Sequence, residues 1–128
     1  MDWLPTPLNR NISGMPASAR LPSTAIHGSI GILLVLANLL RWKWVVLAGA
    51  LWYTLVLVQG IRNWWVAYLL GVHAGEITPE EYRAHYAENV RFLPRIGDHP
   101  VIPDVQHTLI HLSVLAASAL SWTAFVSL

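Results

Sequence analysis

Two histidines stand one helical turn apart at the start of the last apolar stretch of the chain. The segment PDVQHTLIHL spaces His107 and His111 four residues apart, so both imidazoles project from one face of a helix. Imidazoles at this spacing can bind one metal ion, and His27, Asp104 or Glu76 could supply further ligands. The sequence therefore offers a candidate divalent-metal site at His107, His111, His27 and Asp104, although it has no HExxH motif.

The same histidines could instead hold a haem or a (bacterio)chlorophyll. A buried imidazole is a common axial ligand, and a macrocycle needs small neighbours to approach a helix. Gly28 and Gly31 provide them beside His27. His27 and His111 at similar depth on neighbouring helices could form a bis-histidine pair, with His107 as a further cofactor-binding candidate.

Two other interpretations of the histidines remain open. Titratable histidines close to Arg62 and to acids near a membrane surface could relay protons or bind a quinone. Alternatively, the imidazoles lie in the headgroup region and form hydrogen bonds with Asp104 or Gln106, without any ligand.

Composition indicates an integral membrane protein. Charged residues make up 12% of the 128-residue chain, about half of what a soluble domain carries, and the apolar residues fall into long blocks. There is no cysteine, which excludes disulfides, iron–sulfur clusters and thiolate zinc sites. No cluster of Lys and Arg points to nucleic acid.

The apolar blocks predict an all-α fold with three transmembrane helices. An extended, Pro-rich tail over 1–22 precedes a single domain over 23–128. The predicted spans are 23–41, 44–72 and 104–127, the last capped by Asp104 after a proline.

Arginine and tryptophan together mark the expected edges of the second span. The segments RWKW, which ends at Trp44, and RNWW, which begins at Arg62, are 18 residues apart, or about 27 Å of helix, close to the thickness of bilayer hydrocarbon. We expect them at opposite membrane faces. The alternative, a span over about 51–72, would put Arg62 near the bilayer centre and require a partner for it.

An amphipathic helix is predicted over 79–93, between the second and third spans. Thr78 and Glu81 match a capping box. Tyr82 and Tyr86 begin an apolar stripe, continued by Val90 and Leu93. The helix is too polar to span, so we expect it to lie at the membrane interface.

This topology places all chemistry-bearing side chains on one side of the membrane. The starts of spans one and three and the end of span two share a side, which gathers all six histidines and all seven carboxylates there. More Lys and Arg lie on this side than at RWKW, so the positive-inside rule favours an N-terminus inside a multi-pass membrane protein.

The function expected from these features is that of a small accessory or scaffolding subunit. No nucleophile–base arrangement or phosphate loop is present in the sequence, and the helices are apolar on nearly every face. The expected partners are the lipid bilayer and other subunits of a larger respiratory or photosynthetic membrane complex. The alternatives are a small haem- or metal-dependent membrane protein and a homo-oligomeric channel or transporter.

Overall fold

The structure, a computed structural model, describes residues 17–128, without the side chains of 17–24 and of His27. This part of the chain is helical and contains no strand, which confirms the all-α fold class. Its helices are α1 (Ala17–Leu39), α2 (Lys43–Leu70), α3 (Pro79–His85) and α4 (Val105–Ser127).

Two of these helices, α2 and α4, are long and apolar enough to cross a membrane. Their most apolar windows have mean hydropathies of 1.8 and 1.7, yet only 22% and 6% of those windows are buried within the protein. The apolar run described in α1, Gly28–Leu39, is shorter than the roughly 20 residues that a bilayer requires. A first span over 23–41 therefore stays a prediction.

The start of α1 differs from the sequence prediction. The helix begins at Ala17, within the tail that was predicted to be extended over 1–22. Residues 1–16 of that tail lie outside the described residues. At its other end α1 stops before Arg41, whose φ of 57° is left-handed and turns the chain directly into α2.

Helices α2 and α4 run antiparallel. Along α2 from its end to its start, Gly60 lies against His111, Thr54 against Ser118, and Lys43 against Phe125. Helix α1 also runs antiparallel to α2, because Leu34 packs on Gly49 and Trp42 N donates to Ala37 O. The end of α2 and the start of α4 consequently lie side by side.

A short π-helical segment, Ile61–Trp65, interrupts α2 without ending it. Here Val66 N donates to Ile61 O, the i→i+5 pattern that widens a helical turn. Trp64 and Trp65, adjacent in sequence, both contact the histidine-bearing face of α4.

Residues 71–104, which we call the cap, fold back over the end of α2. Gly71 (φ 69°) ends the helix in the left-handed conformation. Arg62 then donates from Nε and Nη2 to Ala74 O at 3.1 and 2.9 Å, and Glu76 N donates to Asn63 Oδ1 at 2.7 Å. The cap thus returns alongside the last two turns of α2.

The cap has a small apolar core of its own against α2. Trp64 and Ala67 of α2 pack with Tyr82 and Val101 of the cap, each at most 3% exposed. The Tyr82 hydroxyl donates to Ile102 O at 3.0 Å. This core orients the chain that leads into α4.

Helix α3 begins as predicted and ends earlier. The capping box is present: Glu81 N donates to Thr78 Oγ1, and Thr78 N donates to the Glu81 carboxylate. The predicted end at 93 is wrong, since α3 stops at His85. Tyr86 leaves the helical region, and Asn89 turns toward Asp104. The interfacial position of α3 stays a prediction.

Candidate functional site

The histidine cluster lies where α2, the cap and α4 meet. We define it as Trp64, Trp65, Tyr86, Asp104, His107 and His111. The π segment of α2 contributes both tryptophans, the cap contributes the tyrosine, and the first two turns of α4 with their N-cap contribute the rest.

Asp104 is the most completely bonded residue of the cluster. It is 0% exposed and caps α4 in an extended conformation. Its Oδ1 accepts from His107 N at 2.7 Å, and its Oδ2 accepts from Asn89 Nδ2 at 2.7 Å. The imidazole Nδ1 of His107 lies 2.9 Å from both carboxylate oxygens.

These contacts keep Asp104 ionised. Burial by itself raises the pKa of the carboxyl group, but the hydrogen bond and charge of His107, together with the Asn89 amide, outweigh burial and lower the pKa below its ordinary value of 3.8. A buried carboxylate with three donors is therefore a fixed negative charge at neutral pH.

His107 is held on three sides. Its ring stacks on Trp64 at 3.9 Å and 25°, and meets the edge of Tyr86 at 5.2 Å. Because an ionised carboxylate only accepts hydrogen bonds, the Nδ1 facing Asp104 carries a proton. Its other nitrogen, Nε2, is the atom through which His107 could bind a metal or exchange a proton.

His111 is held in the opposite tautomer. Trp65 Nε1–H donates to His111 Nδ1 at 3.1 Å, and an indole can only donate, so this nitrogen is unprotonated. The proton is then on Nε2, which faces Gly60: a Cβ added there would lie 2.7 Å from Nε2. The ring is neutral, bonded at one nitrogen and covered at the other.

The structure brings some of the sequence-predicted ligands together, but not as a metal site. Among the described side chains, no group of three or more His, Asp or Glu is arranged to hold a metal ion. Asp104 and His107 meet through a hydrogen bond, and the rings of His107 and His111 are 6.3 Å apart. The side chain of His27 lies outside the described residues, so its role in a metal or haem site stays a prediction.

The other predicted polar residues lie outside the cluster. Glu76 is exposed on the returning chain, and Arg62 is bonded to Ala74 O. His99 Nδ1 lies 2.6 Å from Tyr68 O in the last turn of α2.

Sequence reasoning missed three residues that shape the site. Trp64 and Trp65 were interpreted as interface anchors only, and the π segment that turns both toward α4 has no periodic signal. Asn89 falls inside the helix predicted over 79–93 and was given no role, yet it is buried against Asp104.

Comparison with known protein families, curated proteins and solved structures found no match to this chain. Function is therefore inferred from the chemistry of the cluster and from the surfaces of the helices.

Proposed function

We propose that this chain is a three-span membrane protein that serves as a small accessory subunit of a larger energy-transducing complex, respiratory or photosynthetic. The observation that carries the proposal is the surface of α2 and α4, whose apolar windows are only 22% and 6% buried. A core helix of a soluble protein would be mostly buried.

Large apolar side chains are exposed along the whole of both helices. The exposed residues include Leu51, Leu55, Val58, Leu69, Leu112, Leu115, Leu120 and Val126. Apolar surface costs about 25 cal/mol per Å² in water, and a continuous exposed face of this kind marks contact with lipid or with another protein. Lipid and neighbouring subunits are the proposed occupants.

The contacts of Arg62 support a position at the membrane surface. Both of its bonds go to Ala74 O, on chain that has already left α2 and is turning back. With Arg62 at headgroup level, Trp44 reaches the opposite face, and the cap lies outside the hydrocarbon. The cap and the N-terminal end then share the inner side.

The polar groups within the bundle support a scaffolding role. Thr54 Oγ1 bonds to Ala50 O, Ser118 Oγ and Trp122 Nε1, all within 3.1 Å. These side chains satisfy one another between α2 and α4 instead of lining a path. A Cβ on Gly28 or Gly31 would meet no described atom within 4 Å, so this face of α1 is open to a neighbouring helix.

The test is to follow the protein in its native membrane. Alkaline carbonate should leave it in the membrane, and mild detergent should release it in an assembly larger than one chain. Gly31→Leu should release the subunit from that assembly, whereas Ile32→Leu, its exposed neighbour, should not. A wild-type protein that elutes as a lone monomer would refute the accessory role.

A haem- or metal-dependent membrane protein is the second candidate, and one observation favours it. A carboxylate on Nδ1 is the usual second partner of a metal-binding histidine, and Asp104 holds His107 in this way. A visible spectrum and metal analysis of native protein test it. A colourless, metal-free sample rejects it. An absorbance or metal content lost in His107→Gln but kept in His85→Gln supports it.

The same preparation addresses the third candidate, a homo-oligomeric channel or transporter. That function requires an assembly of identical chains and ion flux in reconstituted vesicles. An assembly that contains other polypeptides and shows no flux would exclude it.

A further inference from the structure

A cavity of about 360 Å³ lies in the cap, and none of the six residues of the histidine cluster lines it. Three arginines, Arg83, Arg91 and Arg95, line it together with one carboxylate, Asp98. An excess of positive charge around a concave site attracts anions.

Arg91 is held in place by the core of the cap. Its Nη2 donates to Ala87 O at 2.6 Å, and its Nη1 donates to the Tyr82 hydroxyl at 3.3 Å. Tyr82 is itself 3% exposed and bonded to Ile102 O. A guanidinium has five N–H donors, so Arg91 keeps three for a ligand while two bonds, one of them to the buried Tyr82, hold its plane.

Most of the positive charge in this cavity is not neutralised locally. Arg83 pairs with Glu80 at 2.7 Å, on the exposed surface of α3. Within residues 17–128, neither Arg91 nor Arg95 forms an ion pair. Two guanidiniums without carboxylate partners therefore share one cavity with a single acid.

Guanidinium chemistry identifies the class of ligand. A planar fork of donors matches the paired oxygens of a phosphate group, and arginine binds phosphate bidentately where lysine acts as a point charge. The carboxylate of Asp98 in the same cavity can accept hydrogen bonds from hydroxyls beside such a phosphate.

We propose that the cavity of the cap is a phosphate-binding site in which Arg91 and Arg95 hold the phosphate oxygens. The ligand is the headgroup of an anionic phospholipid or a free phosphate. The lipid source rests on the proposed membrane insertion, because the cap would then lie at headgroup level. Binding of free phosphate does not depend on membrane insertion.

The experiment measures binding to the purified full-length chain in detergent. The probes are inorganic phosphate, short-chain phosphatidylglycerol and short-chain phosphatidylcholine, each followed by calorimetry and by the shift in thermal unfolding. Arg95→Gln is the main variant, because Arg95 forms no bond within the described protein. Arg41→Gln, an exposed arginine at the other end of the bundle, is its matched control.

We expect Arg95→Gln to weaken binding at least about tenfold, the loss of one charge-assisted pair, with Arg41→Gln unchanged. Arg91→Gln should do the same. Phosphatidylglycerol bound in preference to phosphatidylcholine identifies the lipid source, and binding of inorganic phosphate alone identifies the free source.

Three results would overturn the site: no binding of either anionic probe, equal binding of the two lipids with no binding of phosphate, or an equal loss in Arg41→Gln. Carbonate extraction separates this outcome from a failure of the membrane proposal. A chain that is extracted yet binds phosphate through Arg95 refutes insertion and keeps the site.

Discussion

The two ends of the α2–α4 pair are built from equally apolar helices and are held together differently. At the capped end, Trp64 stacks on His107 and Trp65 bonds to His111. At the open end, the closest polar contact is Lys43 Nζ, 5.1 Å from the ring centre of Phe125, and Trp44 is 78% exposed. Directional contacts between the two helices thus lie at the capped end and midway along the pair, where Thr54 bonds to Ser118 and Trp122.

This difference assigns separate roles to the two ends. Apolar contacts tolerate sliding and rotation, whereas hydrogen bonds and ring stacking require one geometry. The capped end, together with the hydrogen bonds of Thr54, therefore determines how α4 is aligned along α2. The open end follows from that alignment and from the Thr54–Ser118 pair midway.

The largest expected effect comes from removing the buried carboxylate. Asp104→Ala leaves His107 and Asn89 without their common acceptor and α4 without its cap, and should lower the free energy of unfolding by about 3 kcal/mol. At the open end Lys43→Ala should cost only about 0.5 kcal/mol. Denaturant unfolding in detergent, followed by tryptophan fluorescence, measures both. Equal losses would remove the distinction between the ends.

The second-largest loss of stability is expected from Gly60→Ala. Its Cβ would lie 2.7 Å from both Cδ2 and Nε2 of His111, so the ring must move and the Trp65 bond must break, at a cost of about 2 kcal/mol. Gly49→Ala is the matched control. Its Cβ would also lie too close to a side chain, 2.7 Å from Cδ1 and 2.9 Å from Cγ of Leu34, but Leu34 can repack without breaking a hydrogen bond, so the cost should be about half as much. The same unfolding assay decides, and a larger loss for Gly49→Ala would contradict the expectation.

A smaller loss of stability is expected when either of two indole hydrogen bonds is removed, and the two losses should differ. Trp65→Phe leaves the half-buried His111 Nδ1 without a donor, at a cost of about 1 kcal/mol. Trp122→Phe removes a 3.0 Å bond to Thr54, which keeps Ala50 and Ser118 as partners, so its cost should be smaller. Thermal unfolding of the two variants side by side ranks them.

The smallest expected effect is acid sensitivity of the capped end. The pKa of Asp104 is lowered on folding, so the unfolded chain takes up the proton first as pH falls. The stabilisation is complete above about pH 4 and is lost as pH drops through the folded pKa. Protonation still leaves acceptor oxygens for Asn89 and for His107 N, which limits the loss.

Comparing wild type with Asp104→Asn between about pH 6 and pH 3 measures this contribution, because the other carboxylates titrate in both proteins. The wild type should lose its advantage on acidification. Parallel stability curves would mean that folding does not lower the pKa of Asp104.

Local signals in the sequence predicted the starts of helices well. Thr78 with Glu81 and the position of Asp104 after proline are short-range patterns that need only neighbouring backbone N–H groups, and both caps are present. The common face of His107 and His111 also follows from helical spacing and is confirmed by their shared contact with Trp64.

Long-range contacts explain what the sequence did not predict. The stripe from Tyr82 to Leu93 favours one continuous helix, but Asn89 bonds to an acid 15 residues later, and Val90 O accepts from Val105 N. These tertiary bonds end α3 at His85. No periodic pattern marks the π turn, so the pairing of two tryptophans with two histidines could only be seen in the fold.

The π turn makes the direction in which the cap faces depend on chain length. Each residue added to an α-helix rotates the downstream chain by about 100°. Deleting one residue within Ile61–Trp65 would restore α-helical spacing and swing the cap around the axis of α2 by roughly that angle. The apolar length of α2 would hardly change, yet Trp64 and His107 would no longer face each other. The length of α2, to within one residue, thus determines the direction in which the cap projects from the helix axis.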